Sequence, residues 1–144
     1  MKLEVKMSTF ANKLVAVINK DIEPGVAKNA LAHMAIGLGA SIGTEALRLD
    51  DYQDKNGNKY PAISQIPFII LRAKSGEIKK TVNQAREHNI KHSAFVNTMT
   101  VGTYLEQLER TKGCSEEELV FYGCVLFGDW DKVSEMTRRF SLWK

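Results

Sequence analysis

Four short runs rich in β-branched and aromatic residues, each followed by a stretch of helical period, constrain this chain more than any other feature of its sequence. The runs are "KLVAVIN", "FIILRA", "HSAFVNTM" and "ELVFYGCVLFG". Short apolar runs of this kind suit strands buried on both faces, and they predict strands near residues 13–19, 66–72, 93–98 and 118–127. After the first run, Ala27, Ala30, Leu31, Met34, Ala35 and Leu38 fall at helical spacing. After the second, Ser75 stands where it would cap a helix carrying Ile78, Val82 and Ala85 on one face, with Asn89 to end it. After the third, Val101, Tyr104, Leu105 and Leu108 make an i, i+3, i+4, i+7 stripe on a further helix, closed by Lys112-Gly113. A last helix is read from Asp129 to Phe140. Strands separated by helices imply crossover connections. The fold expected is α/β, a three-layer α/β/α sandwich with a mixed, mainly parallel sheet of four or five strands.

At 144 residues the chain has the size of one compact domain, spanning 1–144. Hydrophobic residues at 44% and charged residues at 26% exclude a disordered chain. The longest apolar runs, such as "FIIL" and "CVLF", fall far short of the ~20 residues a membrane span needs. No membrane partner is expected. The opening "MKLEVKMSTFANK" has no apolar signal core, so a cytoplasmic protein is expected. Two cysteines, Cys114 and Cys124, lack metal-ligand spacing and read as reduced thiols, Cys124 as a core residue. The net charge of +3 and pI near 8.8 are only mildly basic, with clusters around Arg86 to His92 and at Arg138-Arg139. Dedicated nucleic-acid binders show a concentrated basic face, so RNA is permitted here without being indicated.

No GxSxG, P-loop, GxGxxG or HExxH pattern occurs. "GLGASIG" follows a helix instead of a strand, the wrong context for a dinucleotide loop. His88 and His92 are four apart, but Asn89 ends the helix between them and breaks any shared face. No metal and no cofactor are called for. Asn56-Gly57 is a tight-turn signal that suggests a hairpin, and Tyr60 and Ser64 beside it are weighed as lining a site.

Two stretches carry a family resemblance. In "KLVAVINKDIEPGVAKNALAHMAIG" the positions are Asp21-Ile22, Gly25, Lys28 and Ala30; in "VLFGDWDKVSEMTRRFSLW" they are Gly128, Val133, Thr137 and Leu142. These ends resemble the archaeal and eukaryotic type of peptidyl-tRNA hydrolase, which has a strand, a turn, and a Gly and a Lys opening an alanine-rich helix. Its last strand leads through a Gly turn into a short helix and a terminal Leu. "NALAH", "YPAISQIPFIIL" and "FSLW" are closer still to a small bacterial family of uncharacterised proteins that shares this fold. The resemblance implies a peptidyl-tRNA hydrolase II-like fold and brings no established activity. In the hydrolases the third strand ends in Asp-Ala-Gly-x-Thr, which supplies an acid and a hydroxyl. This chain reads "FVNTMTVG" there, with Val96 or Asn97 in the aspartate's place. Ala32 and Ala35 stand where that family has a Gln and a following His, and His33 lies two positions earlier.

Lys28 falls in the first turn of its helix, where unpaired N–H groups favour an anion; the plain alternative is an exposed lysine. Asn29 and His33, four apart, project from one side of that helix, away from the alanine-leucine stripe. Asn97, Thr98 and Thr100 stand at the carboxyl end of the third strand, where ligands bind in open α/β sheets. Their side chains serve equally well as caps for the next helix. The candidate catalytic residues are therefore Lys28, His33 and Asn97. The candidate ligand-binding residues are Lys28, Asn29, His33, Asn97, Thr98 and Thr100, gathered around one polar pocket. A neutral amide is no general base. The expectation is a binding or regulatory module without efficient peptidyl-tRNA hydrolysis, its ligand small and anionic or aminoacyl-like. The alternative is a hydrolase or transferase acting on an aminoacyl-type ester or amide, with His33 as base and Lys28 holding an anionic group. A homodimer is left open.

Overall fold

Strand β1, Asn12–Asn19, occupies the centre of the sheet, and six of its eight residues are buried. The computed structural model describes residues 10–144; residues 1–9, part of the stretch read for a signal sequence, lie outside it. After β1 come α1 (Pro24–Ile42), β2 (Leu49–Gln53), β3 (Lys59–Ser64), β4 (Phe68–Ala73), α2 (Ser75–Glu87) and β5 (Lys91–Val96). A 3-10 turn at Asn97–Met99 leads to α3 (Tyr104–Lys112), followed by β6 (Phe121–Asp129), α4 (Trp130–Thr137) and the two-residue β7 (Ser141–Leu142).

The main sheet has the order β5-β6-β1-β4-β7. Alternate residues of β1 feed two cores. Leu14, Ala16 and Ile18 meet Ala27, Ala30, Met34 and Leu38 of α1 on one face. Val15 and Val17 meet Ile78, Val82 and Ala85 of α2 and Val133 and Met136 of α4 on the other. The three-layer α/β arrangement over a five-stranded mixed sheet agrees with expectation. The balance of directions does not: among the described residues only β1 and β4 of this sheet pair in parallel, and its other three pairings are antiparallel. A parallel return needs a helix laid along the sheet. Helix α3 buries none of its residues and does not make that crossing, so β6 runs back between β5 and β1.

Local signals act at several boundaries. Pro24 opens α1, its fixed φ being suited to a first turn. The helix passes through Gly37 and Gly39 and stops at Gly43, whose φ is +94°. Asn89 ends α2 in the left-handed region, φ +54°, as its side chain allows. Ser75 does not cap α2; its Oγ accepts a hydrogen bond from Phe121 N at 2.9 Å, tying the start of the helix to β6. Strands β2 and β3 form the hairpin expected around Asn56-Gly57, apart from the main sheet. Gly123 of β6 lets α1 approach closely, since a Cβ there would lie 2.9 Å from both Ile18 Cδ1 and Met34 Cε. Among the described residues no helix is long and apolar enough to cross a membrane.

Candidate functional site

Burial of Ala27, Ala30, Met34 and Leu38 fixes the rotation of α1, and so decides where its polar residues point. Asn29 and His33 face β5, and the His33 ring lies 6.1 Å from the Phe95 ring, centroid to centroid. Phe95 in turn stacks on Tyr122 at 6.4 Å. Ser93 Oγ donates to Met34 O at 3.2 Å, fastening β5 to the helix.

Helix α3 forms the other wall. Its start is a capping box: Thr103 Oγ1 accepts from Glu106 N at 3.2 Å, and Glu106 Oε1 accepts from Thr103 N at 2.7 Å. Those bonds hold the Glu106 carboxyl below the usual carboxylate range. Polar contacts tether α3 to the 3-10 turn. Arg110 Nη1 donates to Thr98 O at 3.0 Å, and the Thr98 and Thr111 hydroxyls are 2.6 Å apart. A stripe such as Val101, Tyr104, Leu105 and Leu108 ordinarily packs on a core. Here Val101, Tyr104 and Leu105 are each about 70% exposed.

Between α1, β5 and α3 lies a groove of about 780 Å³. Asn29, His33 and Thr100 line it with polar groups, and Phe95, Tyr104 and Leu108 with apolar surface. Among the described residues that line it there is no Asp, Glu or Cys.

The structure brings only some of the anticipated residues together. Lys28 lines a different cavity of about 190 Å³, with Ile18, Leu31, Ile70 and Trp143, and the two cavities share no residue. The reason is helix geometry: neighbours differ by ~100° around the axis, so Lys28 turns toward β4 while Asn29 faces β5. Asn97 and Thr98 do not line the groove. Asn97 Oδ1 accepts from Val120 N at 3.0 Å, and Asn97 N donates to Val120 O at the same distance. Its amide thus splices the end of β5 to the approach of β6. Thr98 is buried against Thr111, and Thr100 Oγ1 donates to Asn97 O at 2.8 Å. Val96, the other residue weighed for the aspartate's place in the sequence, is a buried core residue.

Tyr60 and Ser64 lie elsewhere. Tyr60 Oη donates to Asp54 Oδ2 at 2.7 Å in the hairpin, and Ser64 Oγ donates to Leu47 O at 2.6 Å. His92 Nδ1 contacts Ile90 O at 2.8 Å. Among the described residues, no three His, Cys, Asp or Glu side chains are grouped as metal ligands. The sequence reading missed Ser93, Phe95 and Gln107 as groove residues, and also Asn19. Asn19 is buried, donates through Nδ2 to Phe121 O at 2.9 Å and accepts from Asp21 N at 2.8 Å, shaping the loop into α1. An Asn at the end of an apolar strand, two residues before an Asp, is the signal that could have marked it.

Residues 12–144, almost all of the chain, match the family described as "Protein of unknown function (DUF2000)". The chain belongs to that family. Among solved structures, the chain is similar to the protein of unknown function Atu0240 from Agrobacterium tumefaciens strain C58. The TM-score is 0.82 at 20% sequence identity, covering 94% of this chain and 100% of that one. At that identity the likeness shows a shared fold. No curated protein matches the chain.

Proposed function

We propose that this DUF2000 chain is a single-domain binding module whose ligand lies in the groove between α1, β5 and α3, and that it does not turn over peptidyl-tRNA efficiently. One observation carries the reading: a groove of ligand size, walled by aromatic and amide or hydroxyl groups, has no carboxylate among the described residues that line it. Pockets of ~300–1,000 Å³ with a few placed polar groups are the usual form of small-molecule sites. Asn29, His33 and Thr100 would fix the polar part of the ligand, and Phe95 and Tyr104 would take its apolar part. That chemistry fits a small aminoacyl-like molecule. The likeness of the chain's two ends to peptidyl-tRNA hydrolases supports a shared ancestry of the fold and leaves the activity behind. The alternative, hydrolysis with His33 as base, calls for a group to orient the imidazole, and the groove lining supplies no acid for it. The reading calls on neither RNA nor a second copy. We place it in the cytoplasm, consistent with the two free cysteines.

The test is a titration of the ¹⁵N-labelled protein with N-acetyl-phenylalanine ethyl ester, run beside a single-turnover assay with labelled peptidyl-tRNA. Saturable shifts at Asn29, His33, Phe95 and Thr100, with cleavage no faster than background, are expected. An absence of saturable shifts in the groove overturns the binding site. Cleavage abolished by His33→Ala overturns the module and restores the enzyme.

A further inference from the structure

At the opposite edge of the sheet, the carboxyl ends of β1 and β4 and the start of β7 enclose a cavity of about 230 Å³. Lys20, Arg72 and Arg139 all line it, from three separate segments. Backbone bonding places them: Lys20 N donates to Ala73 O at 3.0 Å, Arg72 pairs with Ser141 across β4 and β7, and the Arg139 guanidinium lies over the Phe140 ring at 4.8 Å. Among the described residues none of the three cations takes part in an ion pair. The one carboxylate among the described lining residues, Glu77, uses Oε1 to accept from Lys74 N at 3.0 Å, closing the first turn of α2. The lining therefore carries a formal excess of two positive charges. Gathering like charges costs stability through self-repulsion. Two guanidinium forks and a lysine are the donor set that suits a phosphoryl oxyanion.

A second, apolar cavity lies on the α1 face of the same strands, whereas Ala73 and Phe140 of the cationic cavity belong to the α2 face. Ile70 and Trp143 line that apolar cavity, which also holds Lys28. We propose that the cationic cavity binds a small aryl phosphomonoester, with the phosphate among Lys20, Arg72 and Arg139 and the aromatic body beside Phe140, which lines the same cavity. The site is separate from the groove beside β5 and does not depend on it.

The experiment titrates the ¹⁵N-labelled protein with phenyl phosphate, inorganic phosphate and phenol at fixed low salt. Phenyl phosphate is expected to give saturable shifts at Lys20, Arg72, Phe140 and Ser141 and to leave Asn29 and His33 unmoved. Inorganic phosphate should bind at least roughly tenfold more weakly, and Arg72→Gln/Arg139→Gln should weaken phenyl phosphate by a similar factor. The wild-type map stands as a test even if the double variant fails to fold. Absence of saturation up to about 10 mM, identical binding by a folded double variant, or shifts scattered over the basic surface overturns the proposal. So does single-stranded RNA displacing phenyl phosphate with higher affinity, which would assign the cations to a nucleic-acid backbone.

Discussion

The hydroxyls of Thr98 and Thr111 lie 2.6 Å apart, and Thr111 directs its own proton to Gln107 O at 2.7 Å, so Thr98 is the donor between them. With no buried residue of its own, α3 depends on this bond and on the Arg110 contact to Thr98 O. Thr98→Val should therefore raise amide exchange across residues 104–112 without touching exchange in β1. The local cost is about 0.5–1.5 kcal/mol. Hydrogen exchange read by mass spectrometry checks it, and unchanged protection of α3 would show that the helix is held by something else.

Gly123→Ala places a methyl group against Ile18 Cδ1 and Met34 Cε. Both neighbours are buried and Val17 O lies 3.2 Å from the added methyl, so relief means repacking the two side chains against α1. The expected loss is about 1–3 kcal/mol, read from denaturant midpoints. Amide shifts should also appear at Asn29 and His33, on the groove side of the same helix. A neutral substitution would mean that the two side-chain tips move aside freely.

Asp54 organises the hairpin. Its carboxylate accepts from Asn58 Nδ2 at 3.0 Å, from Tyr60 Oη at 2.7 Å and from the backbone of Asn58 and Asn56, both at 2.9 Å. These bonds, the Asn58 side chain first, lower its pKa from 3.8 to about 2. Because the folded value is the lower one, the ordering is complete above the ordinary carboxylate range and fades as the pH falls toward about 2. The Tyr60 hydroxyl, donating to that carboxylate, is held above its ordinary pKa. NMR of the Asn58 side-chain amide between neutral pH and pH 2 should show it leave its bonded position late in the titration. Asp54→Asn should place it there at every pH.

Burial pushes the Cys124 thiol from 9.0 up to about 12, against the opposing pull of its contact with Val17. Cys124 should resist alkylation under native conditions, while half-buried Cys114 is modified first. The stability linked to the neutral thiol is whole below its unfolded pKa and lost as the pH rises toward about 12. Peptide mapping after brief iodoacetamide treatment distinguishes the two residues, and equal labelling would contradict the buried assignment.

Elements were legible in the sequence where a local pattern decided them. The β1 run, the α1 stripe, the Asn89 stop and the Asn56-Gly57 turn depend on a few adjacent residues. What depended on distant partners was not. The direction of β6 is set by α3 staying at one end of β5, and β7 has too few residues to show any period. Ser75 has the right chemistry for a helix cap, but Phe121 N, 46 positions away, takes its hydroxyl. For the candidate site, the pairing of Asn29 with His33 followed from helix spacing. The separation of Lys28 depended on which face of α1 the sheet buries, to within one residue. Asn97 was correctly placed at a strand end, yet its amide is occupied in joining strands.

The register of β1 reaches far along the chain: Leu14 lies opposite Phe68 on one side and Phe127 on the other. On a ribosome, a central strand with the sequence LVAVI would emerge long before either neighbour, and its second neighbour would arrive more than a hundred residues later. Such distant pairings make folding slow, and an uncovered apolar strand edge invites association between nascent chains. Yield in cells should therefore fall with translation rate and rise with chaperone supply more steeply than equilibrium stability alone would indicate.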